Sequence, residues 1–301
     1  MNDFDMSDLT APPRDMLVEV TNRCNHKCIF CAHHVMENEQ GEIDPSLLRR
    51  IFCEAYKMGV RRVGLYTTGE MFLCKELNTH IRNAKEIGYD YIYTDTNGVL
   101  ATVENLTDVI KAGIHSIKFS INAGKRETYK IVHGRDDFDR VIENLRNCYR
   151  LKKELNNSLK IMVSCVATRY TESEIELLRR IVEPYVDGFI VNPLRALWQQ
   201  MDYDLTYLKP EKMTENVIEI PCSMVMNRIH VTFNGFLSAC CIDYNHDVLL
   251  ADLKKTPLSE AWVSENAVNF RRKHISRQLD GTMCNCCLMN TFVPYEPLIV
   301  E

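Results

Sequence analysis

Short apolar stretches rich in β-branched residues alternate with amphipathic helical stretches from residue 16 to about residue 192. Six of the apolar stretches have the length and composition of buried strands, namely 16–21, 60–66, 89–94, 115–121, 159–167 and 188–192. The first helix between them is predicted to begin at Asp44 and Pro45 and to end at Gly59. Strands that alternate with helices in this way form a parallel sheet covered by helices. The sequence therefore predicts an α/β fold whose sheet is closed or partly closed as a barrel.

The alternation stops after residue 193, and a different kind of chain follows. The segment "HVTFNGFLSACCID", residues 230–243, predicts a hairpin that turns at Asn234 and Gly235. One helix is expected near 257–275, followed by a cysteine-rich tail. A C-terminal unit of about 90 residues with this many loops needs a crosslink, such as a bound metal centre, to be stable. We therefore predict a barrel domain over 1–210 and a small cysteine-rich domain over 211–301.

The charge of the chain limits its partners. The 301 residues carry 36 Lys and Arg against 41 Asp and Glu, and no dense basic run occurs, so neither a nucleic acid nor an anionic membrane is expected to bind. The partner is predicted to be a small molecule. The N-terminus is acidic and polar, unlike a signal peptide, and no run of about 18 apolar residues is present. The protein is therefore expected to be cytoplasmic.

Thirteen cysteines are present, and most lie in tight groups. Grouped cysteines in a reducing compartment are typical of metal ligands. Three of them, Cys24, Cys28 and Cys31, follow the first predicted strand, at the sheet edge where such barrels place their chemistry. A zinc ion would need a fourth ligand, for which His26, His33 and His34 are at hand. A 4Fe–4S cluster held by three cysteines would instead leave one iron open.

The spacing C-x3-C-x2-C, with the aromatic Phe30 before the last cysteine, resembles the core motif of the radical S-adenosylmethionine enzymes. This resemblance implies a partial (β/α)6 TIM-like barrel and a 4Fe–4S cluster on the three cysteines. The open iron would bind S-adenosylmethionine as the fourth ligand. Residues at the ends of later strands also resemble those with which the family contacts its co-substrate. On that basis the predicted contacts of the methionine amino group are Thr68, Gly69 and Glu70. The predicted contacts of the ribose and the carboxylate are Ser120 and Asn122, and Arg135 is a further predicted contact of the methionine carboxylate.

A second group of cysteines lies in the C-terminal unit and consists of Cys222, Cys240, Cys284 and Cys287. Four cysteines suit a zinc site. Beside a radical S-adenosylmethionine core, their spacing resembles the SPASM extension in its shortened twitch form, as in an aminocyclitol dehydrogenase of antibiotic biosynthesis. The resemblance implies one auxiliary 4Fe–4S cluster. Cys241 and Cys286 are left over, either as spare ligands or, for Cys286, as a catalytic hydrogen donor.

The predicted reaction is hydrogen abstraction by a 5′-deoxyadenosyl radical from a small polar substrate, which is a sugar, an aminocyclitol or a nucleoside-like molecule. This step would oxidise a hydroxyl-bearing carbon to a ketone. A flavodoxin or ferredoxin would supply electrons. The alternatives left open are an epimerase that uses a cysteine hydrogen donor, a peptide maturase, and an iron–sulfur scaffold or electron carrier. Candidate substrate contacts at the barrel mouth are Glu19, Tyr66, Tyr93, Asp95, Asn192, Arg195 and Arg228.

Overall fold

The computed structural model describes residues 9–155, 158–194, 205–210 and 222–289, without the side chains of Pro193, Thr206, Cys286, Leu288 and Met289. Its strands are β1 (Asp15–Val18), β2 (Arg62–Gly64), β3 (Tyr91–Thr96), β4 (Ser116–Ser120), β5 (Lys160–Ala167), β6 (Gly188–Pro193), β7 (Arg228–Val231), β8 (Phe236–Ser238) and β9 (Leu249–Asp252). Arg195, which was predicted as a candidate substrate contact, lies outside the described residues.

The α-helices are α1 (Pro45–Lys57), α2 (Leu77–Ile87), α3 (Val103–Ala112), α4 (Arg126–His133), α5 (Phe138–Glu154), α6 (Ile175–Val182), α7 (Ser223–Asn227), α8 (Leu258–Trp262), α9 (Glu265–Ser276) and α10 (Met283–Met289). Short 3-10 turns cover Ala32–Val35, Met71–Leu73, Glu172–Glu174, Glu183–Tyr185 and Thr206–Leu208. None of the described helices is long and apolar enough to cross a lipid bilayer.

The first six strands form a parallel sheet in chain order, from β1 to β6. Side chains of β1, β3 and β5, including Leu17, Tyr93 and Met162, pack in one cluster on the inner face, so the sheet curls around them. Helices cover the outer face, as α1 does with its buried Leu48 and Phe52. The predicted partial (β/α)6 barrel is confirmed.

The C-terminal hairpin continues the barrel sheet. Strand β7 pairs in parallel with β1, and β8 and β9 add to it in antiparallel fashion. The predicted turn is present, with Gly235 at a φ of 84°. The division of the chain at residue 210 remains a prediction.

The predictions for the C-terminal unit need correction. Strand β9 and the short helices α7 and α10 were not expected, and the single helix expected near 257–275 is two helices, α8 and α9. The break falls at Ser264, whose hydroxyl accepts a hydrogen bond from the amide of Ala267 and so begins a new helix.

Candidate active site

The three core cysteines lie together on the loop that follows β1. Burial raises the pKa of Cys24 to about 12 and raises the pKa values of Cys28 and Cys31. The charge of Cys31 further raises the pKa values of Cys24 and Cys28. Buried thiols of this kind lose their protons only when a metal takes their place. The donor set is therefore suited to a metal centre.

Two of the three histidines proposed as a fourth ligand, His26 and His33, are engaged in hydrogen bonds. His33 Nε2 lies 2.6 Å from the carbonyl oxygen of Asn22, so it carries a hydrogen and donates it. His26 Nδ1 lies 3.2 Å from His133 Nδ1. Among the described residues, His26, Cys28 and His133 form a group whose ligand atoms all lie within 4.8 Å of one another. The hydrogen bonds of His133 decide whether that group suits a metal ion.

His133 has a defined tautomer. Its Nε2 accepts the backbone N–H of Asn122 at 3.1 Å, so the ring hydrogen is on Nδ1. That Nδ1–H faces Cys28 Sγ, 3.5 Å away, and the ring of His26. A protonated Nδ1 cannot bind a metal, and His133 is therefore a hydrogen-bond donor to a core cysteine. Nothing in the sequence pattern singled out His133, because it is one histidine at the end of a predicted helix.

The turn after β2 packs directly on the start of the cysteine loop. The amide of Glu70 donates to the carbonyl oxygen of Arg23 at 2.7 Å. A Cβ on Gly69 would collide with the carbonyl oxygen of Thr21, so only glycine allows this approach. The hydroxyl of Thr68 donates to the Glu19 carboxylate.

Glu70 is fully enclosed and accepts three hydrogen bonds from the protein. Its carboxylate receives Thr96 Oγ1 at 2.7 Å, the Asn97 amide at 2.7 Å and the Phe72 amide at 3.2 Å. Burial raises the pKa of Glu70 to about 7, against the opposing effect of these bonds. Asn97 in turn donates from Nδ2 to Asn25 Oδ1 at 2.7 Å, which connects Glu70 with the cysteine loop.

The other predicted co-substrate residues surround the same loop. Asn122 is buried, and its side chain accepts the Val166 amide at 2.7 Å and donates to Ser120 Oγ at 3.2 Å. Arg135 is paired with Asp137 at 2.7 Å and reaches the carbonyl oxygen of Asn25 at 3.4 Å. Phe30 packs in an apolar cluster beside the loop. Their roles in binding S-adenosylmethionine remain predictions.

The auxiliary cysteines also converge. A hydrogen bond with Cys241 raises the pKa of Cys240, as do burial and the nearby Cys284 and Cys287. Burial raises the pKa of Cys284, with further contributions from Cys287 and Cys222. The four predicted ligands thus lie near one another, with Cys241 beside them. The side chain of Cys286 is outside the described part of the structure, so its catalytic role stays a prediction.

The inner face of the barrel is apolar in its middle and polar toward the carboxyl ends of the strands. Leu17, Tyr93 and Met162 fill the middle, and residues two positions further along a strand point to the same side. This alternation puts Glu19 and Asp95 in the upper part, which we call the upper lumen. Its described polar side chains include Glu19, Tyr66, Asp95, Lys118, Ser164 and Asn192.

One ion pair lies in the upper lumen. Lys118 Nζ is 2.9 Å from Asp95 Oδ2 and 5.4 Å from the centre of the Tyr66 ring. Asp95 Oδ1 is buried without a hydrogen-bond partner among the described residues. Burial raises the pKa of Asp95, against the effect of Lys118. The sequence indicated Asp95 as a mouth residue but missed Lys118, which lies within a strand.

Two predicted mouth residues, Arg228 and Tyr93, direct their polar groups to the opposite end of the barrel. Arg228 begins β7 and pairs with Asp15, the first residue of β1, at 2.7 Å. The Tyr93 hydroxyl donates to the same carboxylate at 3.2 and 3.3 Å. These groups close the bottom of the barrel, so the prediction that Arg228 and Tyr93 face the mouth is wrong.

The fold and the two cysteine centres define an iron–sulfur barrel protein, and comparison with known families is consistent with this class. The profile described as "Radical SAM superfamily" matches residues 18–181, and SPASM, an "iron-sulfur cluster-binding domain", matches residues 222–288. The chain belongs to the radical SAM superfamily. Membership implies a 4Fe–4S cluster that works with S-adenosylmethionine, and the SPASM match implies iron–sulfur binding in the C-terminal unit.

Known proteins resemble the chain over most of its length. A probable GTP 3′,8-cyclase of Saccharolobus solfataricus is 34% identical over 284 residues, which cover 83% of this chain and 89% of the relative. BtrN, solved with AdoMet and 2-DOIA, shares the fold with a TM-score of 0.57 and 19% identity over 91% of this chain and 90% of its own. SuiB of Streptococcus suis, solved with the precursor peptide SuiA, gives a TM-score of 0.69 and 15% identity over 87% of this chain and 67% of its own.

Proposed function

We propose that this radical SAM enzyme oxidises a hydroxyl-bearing carbon of a small polar substrate, such as a sugar or aminocyclitol, to a ketone. When bound, S-adenosylmethionine and the two clusters supply a 5′-deoxyadenosyl radical that removes a hydrogen atom and an acceptor for the electron left behind. Cys24, Cys28 and Cys31 would hold the core cluster. Cys222, Cys240, Cys284 and Cys287 would hold one auxiliary cluster. A flavodoxin or ferredoxin would supply the electron that starts each turnover.

The upper lumen is the observation that carries this proposal. Asp95 Oδ1 is buried without a hydrogen-bond partner in the described part of the chain, which is costly unless a ligand donates to it. A substrate hydroxyl would do so, while Lys118 holds the other oxygen in place. Asp95 Oδ1 would then take the hydroxyl proton as the carbon is oxidised. Its raised pKa, caused by burial, makes the carboxylate a better proton acceptor.

A second candidate is the cyclisation of GTP, which the identity with the Saccharolobus protein favours. A triphosphate needs several positive charges, because it carries three adjoining anionic groups. Among the described side chains of the barrel interior, Lys118 is paired with Asp95 and Arg228 with Asp15. Burial lowers the pKa of His230 to about 3, so this ring is neutral. The charges therefore favour an uncharged polyol or an amine over a triphosphate.

Product mass separates the candidate reactions. Anaerobically reconstituted protein would be incubated with S-adenosylmethionine and a reductant, and separately with GTP, 2-DOIA, and a panel of aminocyclitols and monosaccharides. We expect one of the polyols to give a product lighter by two hydrogen atoms, with one 5′-deoxyadenosine per product. A polyol product of unchanged mass in ordinary water that carries one deuterium in heavy water would indicate epimerisation. Conversion of GTP, with none of the polyols converted, would indicate cyclisation.

Asp95→Asn tests the assigned proton acceptor in the same assay. The amide has nearly the same shape but accepts no proton, so ketone formation should fall by a factor of about 100 or more. Cleavage of S-adenosylmethionine without substrate should stay unchanged. Ser164→Ala is the matched control, because it also alters an upper-lumen polar group yet should keep most of the turnover. Equal losses in both variants would remove the special role of Asp95.

A further inference from the structure

The loop of residues 243–246, which we call the docking loop, follows the auxiliary cysteines and is held in one shape. The buried carboxylate of Asp243 accepts the amide of Asp247 at 2.7 Å, the amide of Val248 at 2.9 Å and Ser238 Oγ at 3.1 Å. Three hydrogen bonds on one side chain close the loop on itself. Its side chains are therefore presented to the barrel in a fixed arrangement.

The docking loop contacts the segment that follows the core cysteines. Asn38 Nδ2 donates to the carbonyl oxygen of Tyr244 at 2.6 Å, and the Glu37 amide donates to Asn245 Oδ1 at 3.0 Å. At the end of the loop, His246 Nε2 lies 3.4 Å from a Glu19 carboxylate oxygen. These contacts fix the C-terminal unit against the core site at several points.

Tyr244 is the part of the docking loop that reaches a predicted cluster ligand. Its hydroxyl oxygen lies 3.3 Å from Cys31 Sγ. Its ring packs in the apolar cluster that also contains Phe30 and Ala32 of the core loop and the predicted auxiliary ligand Cys287. Tyr244 thus lies between the two cysteine centres, with its hydroxyl at Cys31 of the core loop.

We propose that Tyr244 is a positioning residue that tunes the core cluster from the C-terminal unit. A cysteine bound to iron is a thiolate and only accepts, so the tyrosine hydroxyl donates to it. A donor on a ligand sulfur stabilises the more negative, reduced cluster and makes its reduction potential less negative. The core site is then complete only when the docking loop is in place. The inference rests on the proposed role of Cys31 as a cluster ligand.

The test is the reduction potential of the core cluster, followed by electron paramagnetic resonance in the reconstituted protein. The core signal is identified as the one that changes when S-adenosylmethionine is added. Tyr244→Phe keeps the ring and removes the hydroxyl. We expect the core potential to become more negative, with the ratio of reduced to oxidised core cluster at fixed potential lower by about tenfold, which equals about 59 mV for a one-electron couple. The auxiliary potential should stay the same.

Two further variants separate the hydroxyl from the packing. Replacing Tyr244 with 3-fluorotyrosine, a stronger donor of similar size, should shift the core potential the opposite way. Asn245→Ala removes a docking hydrogen bond but no contact with Cys31, and it should leave the potential unchanged. An unchanged potential in Tyr244→Phe, or an equal shift in Asn245→Ala, would overturn the inference. If the wild-type protein showed no signal that responds to S-adenosylmethionine, the proposed function would fail instead.

Discussion

His133 and Cys28 are 105 residues apart in the chain, yet His133 Nδ1 lies 3.5 Å from Cys28 Sγ. The ring is oriented by the Asn122 amide on its other nitrogen and stacks on Tyr129 with ring centres 4.0 Å apart. The end of α4 thus contacts the cysteine loop through the His133 ring. Because the ring hydrogen points at the sulfur, His133 favours the thiolate form that a metal requires.

His133→Phe should therefore weaken both the fold and the core metal centre. The phenyl ring can still stack on Tyr129 but leaves the buried Asn122 amide unpaired, which costs about 1–3 kcal/mol of unfolding free energy. Less iron should remain in the core after gel filtration, while the auxiliary signal persists. Urea unfolding and iron analysis measure these effects. His26→Phe is the control, since it removes the contact between His26 and His133 but keeps the bonds of His133 to the Asn122 amide and to Cys28 Sγ. A loss as large in this control would contradict the assignment.

The sequence predicted the parts of the site that are close in the chain or follow a strand. Cys24, Cys28 and Cys31 lie within one loop, so their proximity needs no knowledge of the fold. The residues after β2 and β4 could be placed as well, because the ends of parallel strands meet at one edge. Local spacing and sheet topology therefore indicated both the class of fold and the position of the centre.

Tertiary packing brings in the residues that the sequence did not reveal. Tyr244 lies 213 residues from Cys31, and neither it nor His133 belongs to a repeating pattern. Arg228 was misplaced because period-two alternation tells which face of a strand a residue occupies but not at which end of the barrel it lies. Its position depends on the pairing of β7 with β1, which no local signal indicated.

Glu70→Gln should reduce the affinity for S-adenosylmethionine as well as the stability of the protein. A carboxylate that contacts the methionine amino group would contribute about 1.5–3 kcal/mol, and the variant loses that charge. Thr96→Val is the matched control, because it removes one hydrogen bond to Glu70 and keeps the carboxylate. Binding is measured by titrating the reduced core signal with S-adenosylmethionine. Equal affinities in the two variants would restrict Glu70 to a structural role.

The stability of the protein should also fall in acid because of His80. This side chain of α2 is fully buried, and both ring nitrogens lack a hydrogen-bond partner among the described residues. Burial lowers the pKa of His80 to about 4, whereas an unfolded histidine titrates near its ordinary value of about 6.5. The folded protein therefore holds the neutral ring and the unfolded chain takes up a proton first.

The sign of the effect follows from this difference. Above about pH 6.5, His80 is neutral in both the folded and the unfolded state, and the full stability is present. As the pH falls toward about 4, protonation of His80 in the unfolded chain lowers the unfolding free energy by up to about 3 kcal/mol. His80→Leu should make the unfolding free energy of the cluster-free protein less dependent on pH between about 7 and 4.5. Urea unfolding at several pH values measures this pH dependence, with the exposed His34 replaced by Leu as control.

His274 is buried in the same way, and burial lowers its pKa to about 4. Part of the pH dependence should therefore persist in His80→Leu and decrease further when His274 is replaced by Leu as well. An unchanged slope in His80→Leu would contradict the lowered pKa of His80 in the folded protein.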